Sequence, residues 1–232
     1  MHQSRNMLSR HRSDDSHKDR YSRIAWFYNL WSSLTEQRAA KKVIEWAEIR
    51  NGEQILEVAV GTGLVFAEIV RYNPSGFTRG IDISPRMLAR AEMLMKNQPE
   101  QQYDLQIGSA YKLPFESNTF DLVVNNFMLD LMPEEDFPII LSEFHRVLKP
   151  NARLVISTMT FGRSWYNKIW HFIARHMPSL LTGCRPVTMS RFLAEAGFVS
   201  VQSVYLSQNT FPSEVLRSEK RVTADKDDFA AA

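Results

Sequence analysis

Seven consecutive residues decide the fold of this chain: Glu57-Val58-Ala59-Val60-Gly61-Thr62-Gly63. They end a short apolar run over residues 54–59 that is suited to a buried strand, and they lead directly into residues 64–72, which have helical spacing. The small residues of the turn let a ligand approach the backbone closely, and the turn presents backbone N–H groups. The stretch therefore predicts a strand, a ligand-binding turn and a helix, with the Glu57 carboxylate suited to a cationic ligand.

Further strands and helices alternate along the rest of the chain. Ser84 and Pro85 open one helix, with serine as the N-cap and proline at the first helical position. Strands that alternate with helices predict a mostly parallel sheet with right-handed crossovers. The other predicted strands span residues 78–83, 104–107, 120–125, 154–158, 198–206 and 210–216, and two later helices span 133–148 and 188–196.

A second acidic residue, Asp82, ends the second predicted strand, 19 residues after Gly63. An acid about 20 positions beyond a glycine turn is placed to hydrogen-bond ribose hydroxyls. Ligands of open α/β sheets bind outside the carboxyl ends of the strands, and Ser109 and Asn126 also fall just past strand ends. These positions predict one binding crevice, at the edge of the sheet where the strand order reverses.

Length and composition exclude several classes of protein. The chain has 232 residues, 44% of them hydrophobic, which fits one α/β domain with a full core. A net charge of +2 is not the concentrated positive charge of a nucleic-acid binder. A single cysteine, Cys184, allows no internal disulfide and no clustered metal site. Without a long apolar run or a secretory signal, we expect a cytoplasmic protein that binds no metal and no nucleic acid.

The two ends of the chain differ from the middle. Residues 1–20 are polar and cannot bury enough surface to offset the entropy of ordering, so they are predicted to form a disordered leader. Residues 218–232 are charged and then alanine-rich, and they are predicted to form a flexible tail. The folded domain is expected over residues 21–217, with an N-terminal helical cap at 21–49 and an aromatic helical insertion at 160–187.

A glycine turn after a strand is also found in dinucleotide-binding oxidoreductases. The strict G-x-G-x-x-G pattern would need a glycine where this chain has Phe66. An NAD(P)-dependent oxidoreductase is one alternative, and a non-catalytic protein that binds the cofactor is another.

The turn resembles motif I of the class I S-adenosylmethionine-dependent methyltransferases. It is particularly similar to the ubiquinone/menaquinone biosynthesis methyltransferase group, which uses an acid-x-Ala-x-Gly-Thr-Gly form. The likeness covers roughly residues 21–217 and implies their Rossmann-like fold, a seven-stranded mostly parallel sheet with helices on both faces and an antiparallel strand near the C-terminus. The further segments that match in order are residues 80–84 with Met87 and Leu88, residues 113–115, Phe120 with Asp121, and residues 143–150.

The resemblance implies S-adenosyl-L-methionine as the cofactor and gives each matching residue a role. Glu57 and the turn of Ala59, Gly61, Thr62 and Gly63 would hold the methionine end of the cofactor. The other implied contacts are Asp82 with the ribose, Ile83 and Met87 with the adenine face, Ser109 and Ala110 with the adenine edge, and Asn126 with the methionine ammonium. Many relatives carry aspartate where this chain has Ser109.

The N-terminal region carries a further likeness. Tyr21-x-x-x-Ala25-x-x-Tyr28 resembles an element of the same family in which an acid follows each tyrosine, although Ser22 and Asn29 replace those acids here. The resemblance implies that Tyr21 and Tyr28 contact the cofactor.

Two aromatic segments flank the predicted crevice. One surrounds Tyr28, and in the other Trp165, Ile169 and Ile173 share one helical face. The second segment is predicted to be a helix packed on the core, a cap over an apolar substrate, or a surface that docks on a membrane beside basic residues. Two such segments fit a large apolar substrate better than a small polar one.

The expected reaction is methyl transfer by in-line displacement to a small acceptor that is quinone-like or lipid-like. The protein would mainly position the reactants and exclude water. An acceptor that must lose a proton needs a base, for which Asp130, His171 and His176 are the candidates. The alternative acceptor is a phospholipid headgroup amine, methylated in peripheral contact with a membrane.

Overall fold

Seven strands and five α-helices make up the part of the protein that the computed structural model describes, residues 35–99, 102–162 and 184–221. The strands are β1 Gln54–Val58, β2 Phe77–Asp82, β3 Tyr103–Ile107, β4 Phe120–Asn126, β5 Leu148–Met159, β6 Phe198–Gln208 and β7 Phe211–Lys220. The helices are α1 Gln37–Ala47, α2 Leu64–Tyr72, α3 Pro85–Met95, α4 Phe137–Val147 and α5 Ser190–Glu195. Two 3₁₀ turns, Leu129–Leu131 and Glu134–Asp136, lie between β4 and α4.

All seven strands form one sheet in the order β3-β2-β1-β4-β5-β7-β6. The pairs from β3 to β5 are parallel, and β7 runs antiparallel to both β5 and β6. This topology confirms the predicted Rossmann-like fold with its antiparallel strand near the C-terminus. The strand order reverses between β1 and β4, so the crevice for a ligand lies above the ends of these two strands.

Helices cover both faces of the sheet because the central strands are apolar on both faces. Ile55 and Leu122 belong to a buried cluster that includes Val43 of α1. Their chain neighbours Leu56 and Val123 face the other way, into the cluster that α4 and α5 cover. The chain thus buries α1 and α2 on one side of β1 and β4, close to the reversal of strand order.

The closing strands are longer than the sequence predicts. β7 continues to Lys220 because Ser218 and Glu219 pair with Leu154 and Arg153 of β5. Residues 218–220 are therefore part of the sheet and not of the predicted tail. β5 likewise begins at Leu148, directly after α4, and pairs there with Phe120 across an irregularity in the ladder.

Several predictions concern residues outside the described ranges. The leader at 1–20, the first part of the helical cap, residues 163–183 of the aromatic insertion and residues 222–232 of the tail all lie there. Of the predicted cap, α1 is observed. No helix within residues 35–99, 102–162 and 184–221 is long and apolar enough to span a bilayer.

Gly63 fixes how closely α2 approaches α3. A β-carbon at this position would lie 2.9 Å from Cβ of Ala91 and 3.0 Å from its Cα, and the Gly63 backbone has a φ of +87°. Both the contact and the left-handed backbone therefore require glycine.

We predict that Gly63→Ala lowers the free energy of unfolding by about 2–4 kcal/mol, because it adds a clash to a strained backbone angle. Gly52→Ala is the matched control, since Gly52 also has a positive φ of +103° but nothing lies within 4 Å of its added β-carbon. That control should lose only about 1 kcal/mol. Urea unfolding measures both losses. If the two variants lose the same free energy of unfolding, the packing role of Gly63 is contradicted.

Candidate cofactor site

The turn between β1 and α2 is tight and is attached to the end of β2. Three of its residues have a positive φ: Ala59 at 63°, Gly61 at 58° and Gly63 at 87°. The N–H of Val60 donates to the carbonyl of Ile81 over 3.0 Å, and the N–H of Gly63 donates to the carbonyl of Val60 over 3.1 Å. A left-handed backbone is unfavourable for alanine by about 1–2 kcal/mol, so the surrounding bonds must hold this shape.

The two glycines of the turn serve different purposes. Nothing lies within 4 Å of the position that a β-carbon of Gly61 would take, so this side of the turn is open. The sequence-based role of Gly61, to let a ligand approach the backbone, agrees with that open space. The same role was expected of Gly63 and stays a prediction there, since Ala91 of α3 occupies the space that a side chain would take.

Asp82 joins the turn to the end of β2. One of its carboxylate oxygens accepts from the N–H of Gly61 and the other from the N–H of Ser84, each over 2.8 Å. Burial raises the pKa of Asp82, while the hydrogen bonds from Ser84, Gly61 and Ile83 oppose that rise. The glycine turn and the acid that the sequence selected independently are thus in direct contact.

Glu57 is a buried acid whose side chain is incompletely bonded. It is 1% exposed, and its Oε2 has no hydrogen-bond partner. Burial raises the pKa of Glu57 well above its usual range, and the nearby negative charge of Asp82 raises it further. Such a group destabilises the folded chain unless a ligand supplies the missing donor. An ammonium group would supply both a donor and the opposite charge, so the residues present fit the methionine end of S-adenosylmethionine.

A cavity of about 600 Å³ opens beside the turn, between α1 and α2. The predicted residues among those that line it are Glu57, Ala59, Gly61, Thr62 and Asn126. The lining residues that the sequence did not indicate are Glu36, Gln37, Ala40, Lys41, Ile44 and Glu45 around α1, Val60 in the turn, and Leu64, Val65, Glu68 and Tyr72 on α2.

The residues assigned to the adenosine half do not line this cavity. Ile83, Met87, Ser109 and Ala110 follow the ends of β2 and β3, beyond Asp82 as seen from the turn. Ser84 Oγ accepts from the N–H of Met87 over 3.4 Å, which confirms the predicted N-cap of α3. A cofactor held at Glu57 would have to extend past Asp82 to reach this second group.

Asn126, at the end of β4, is oriented by a neighbouring strand. The Ser157 hydroxyl of β5 donates a hydrogen bond to Oδ1 of Asn126. This bond uses one lone pair of Oδ1, so Asn126 can contact a ligand in the cavity through its amide nitrogen or through the second lone pair of the oxygen. The amide nitrogen suits a carboxylate, and the free lone pair suits the ammonium contact that the family resemblance implied.

Of the three candidate bases, Asp130 is the one within the described residues. Asp130 is fully buried, does not line the cavity and accepts from the N–H of Met159 over 3.2 Å. Burial raises the pKa of Asp130 to about 7 despite that bond. His171 and His176 lie outside the described residues, as do Tyr21 and Tyr28.

Glu36 is a site residue that the sequence analysis missed. It is buried directly before α1 and lies on the cavity wall. An acid at the start of an amphipathic helix looks like a solvent-facing residue, so no sequence pattern marked it.

Comparisons with known proteins show which family this chain is similar to. Residues 55–151 match the family model described as a methyltransferase domain. The demethylmenaquinone methyltransferase of Geobacillus sp. (strain WCH70) is 31% identical over 164 residues, which cover 66% of this chain and 68% of that protein. The demethylmenaquinone methyltransferase of Lactobacillus johnsonii is 32% identical over 144 residues, covering 60% of this chain and 58% of that protein.

The chain spans about three fifths of the length of several curated relatives, among them the 2-phytyl-1,4-naphtoquinone methyltransferase of Nostoc punctiforme. Among solved structures, a SAM-dependent methyltransferase from Methanosarcina mazei superposes with a TM-score of 0.61 at 20% identity. The superposition covers 75% of this chain and 95% of that one, and it supports the fold.

We predict that Glu57→Gln stabilises the ligand-free protein by about 0.5–2 kcal/mol near neutral pH, because it removes a charge that burial disfavours. The folded-state pKa of Glu57 lies above its unfolded value, so ionisation destabilises the fold as the pH rises from one to the other. The difference in unfolding free energy between Glu57→Gln and wild type should therefore be small in acid, grow with pH and level off above the raised pKa.

Urea unfolding at several pH values tests this prediction. Glu135→Gln is the control, because Glu135 is an exposed acid away from the cavity. A constant difference between wild type and Glu57→Gln at all pH values would contradict it.

Proposed function

The chain belongs to the class I S-adenosylmethionine-dependent methyltransferase family, and from this premise we propose that it transfers the methyl group of S-adenosyl-L-methionine to a small, apolar, quinone-like or lipid-like acceptor. The observation that carries the proposal is the incompletely bonded carboxyl of Glu57, buried on the wall of a cavity beside an open glycine turn. The family also removes the reason to expect an NAD(P)-dependent oxidoreductase.

Different residues of the described part would bind different parts of the cofactor. Glu57 would pair with the methionine ammonium, the Asn126 amide would bind the methionine carboxylate, and the open side of Gly61 would let the cofactor approach the turn. Asp82 would bind the ribose hydroxyls through the lone pairs that its bonds to Gly61 and Ser84 leave over. On the far side of Asp82, the residues that would surround the adenine are Ile83, Met87, Ser109 and Ala110.

When bound, S-adenosylmethionine supplies an electrophilic methyl group. The protein positions the acceptor in line with that group and excludes water, and its side chains form no covalent bond. An acceptor with a phenol or an acidic ring C–H must also lose a proton. His171 and His176 remain candidates for that step, whereas Asp130 does not line the cavity. Glu36 is a further candidate, as a buried carboxyl on the cavity wall.

Two observations support an apolar, quinone-like acceptor: the apolar side chains that line the cavity, and the names of the similar proteins. Apolar side chains such as Ala40, Ile44, Leu64 and Val65 line the cavity. The relatives named above are demethylmenaquinone methyltransferases, whose name gives a quinone as their acceptor. These relatives do not favour the phospholipid headgroup alternative. Peripheral membrane contact stays a prediction, since the aromatic segments that suggested it lie outside the described residues.

We predict that S-adenosylhomocysteine raises the melting temperature of the protein and that NAD does not, because only a ligand of the native state stabilises it. With methyl-labelled S-adenosylmethionine and a reduced 1,4-naphthoquinone, the protein should form a methylated quinol and S-adenosylhomocysteine. A protein that binds S-adenosylhomocysteine but labels neither this acceptor nor any fraction of a lipid extract would be a non-catalytic binder, and the proposed activity would be rejected.

We also predict that Asp82→Ala weakens S-adenosylhomocysteine binding by roughly 10–100-fold, through the loss of charge-assisted hydrogen bonds. Because Asp82 also holds Gly61, the ribose contact must be separated from the effect on the turn. An analogue of S-adenosylhomocysteine without ribose hydroxyls does this. Wild type should bind the complete ligand more tightly than the analogue, and Asp82→Ala should bind the two alike. A preference that persists in the variant would leave Asp82 with a structural role alone.

A further inference from the structure

The cavity extends well beyond the turn that would hold the cofactor. Its lining includes both the first residue of α2, Leu64, and the last, Tyr72. At 1.5 Å per residue, these positions are about 12 Å apart along the helix. The wall on the opposite side likewise runs along α1 from Gln37 to Glu45. We call this part of the cavity, between α1 and α2, the trough. The methionine end of the cofactor, held at Glu57 and the turn, accounts for only its inner end.

The surface of the trough is apolar where it is deepest. Val65 is buried and Ala40 and Ile44 are half-buried, and all three belong to or pack against one core cluster. On the side of α2, Leu64 is 53% exposed and Tyr72 is 47% exposed. Large apolar side chains left open along a groove next to a ligand site indicate an apolar ligand.

The acids at the rim of the trough are exposed and paired with neighbouring bases. Glu45 accepts from Lys42 over 2.7 Å, and Glu68 pairs with Arg71 of the same helix. A neutral chain could lie along the apolar floor and leave these ion pairs in water.

We propose that the trough binds the neutral apolar chain of the methyl acceptor, with the reactive ring facing the cofactor where the trough meets the cofactor turn. This inference rests on the proposed function, because it assigns one part of the acceptor to one part of the same cavity. The continuity of the trough with the cofactor turn supports it: a chain that lies between α1 and α2 brings the group attached to it to the open side of the turn. The trough then determines which acceptors are preferred, according to the length of their apolar chain.

The test compares two ligands that differ only in this chain, 1,4-naphthoquinone and 2-geranyl-1,4-naphthoquinone. Isothermal titration calorimetry measures the affinity of each for the full chain saturated with S-adenosylhomocysteine. Wild type should bind the geranyl compound at least about tenfold more tightly, as expected for burial of several methylene groups. Ala40→Ile fills the trough and Leu64→Gln makes its wall polar. Each variant should lower the ratio of the two affinities about tenfold. The affinities for the unsubstituted ring and for S-adenosylhomocysteine should stay within about twofold of the wild-type values.

Ile139→Gln is the matched control. Ile139 is an apolar residue of α4 that is 51% exposed, nearly the same as Leu64, and it does not line the cavity. It should leave the preference for the chain unchanged.

Each other outcome overturns a defined claim. Failure to bind S-adenosylhomocysteine at all would reject the proposed function. Intact binding of that ligand with no preference for the geranyl compound, or with a preference that neither trough variant reduces, would reject the trough as the chain site.

Discussion

The attachment of the β1–α2 turn to β2 is the constraint on which the rest of the site depends. A turn with three positive φ angles, one of them at Ala59, is unfavourable by itself. It persists because Val60 bonds to Ile81 and Gly61 bonds to the Asp82 carboxylate. β1 and β2 are parallel neighbours, so the end of one always lies beside the end of the other. The same geometry that stabilises the turn brings an acid to the place where a ribose would lie.

Directly before this turn, β1 contains a buried carboxyl, that of Glu57, which lowers the stability of the folded chain. A strand residue at the position of Glu57 would normally be apolar, since the flanking Leu56 and Val58 are fully buried. The carboxyl is instead kept in a site where burial disfavours its charge and Oε2 lacks a donor. Sites that bind charged ligands commonly trade stability for affinity in this way. Binding of the cationic end of the cofactor would offset this loss of stability.

Local sequence signals were sufficient for most of the fold. The period of the apolar residues gave the bounds of α2 correctly, and Ser84 with Pro85 gave the start of α3. The contact of the glycine turn with Asp82 also followed from sequence, because strand ends of a parallel sheet share one edge. These features depend on spacing along the chain, which a single sequence contains.

Features that depend on contacts between distant segments were not predictable. The size limit at Gly63 comes from Ala91, 28 positions later, and no local pattern reveals that contact. The extension of β7 to Lys220 comes from pairing with β5, which makes a charged segment part of the sheet. Glu36 reaches the cavity because α1 packs beside α2 on the same face. Its charge at a helix start would ordinarily indicate exposure.

Proton release on ligand binding tests the central claim about Glu57 most directly. If the ligand ammonium pairs with this carboxyl, binding must lower the raised pKa of Glu57 and expel the proton that it carries below that pKa. Calorimetric titration with S-adenosylhomocysteine in buffers of different ionisation enthalpy, over a series of pH values, counts these protons. The account predicts release of up to one proton at pH values between the lowered and the raised pKa of Glu57, a decline to zero above the raised pKa, and no release from Glu57→Gln. Binding heats that do not depend on the buffer at any pH, or the same release from both proteins, would contradict it.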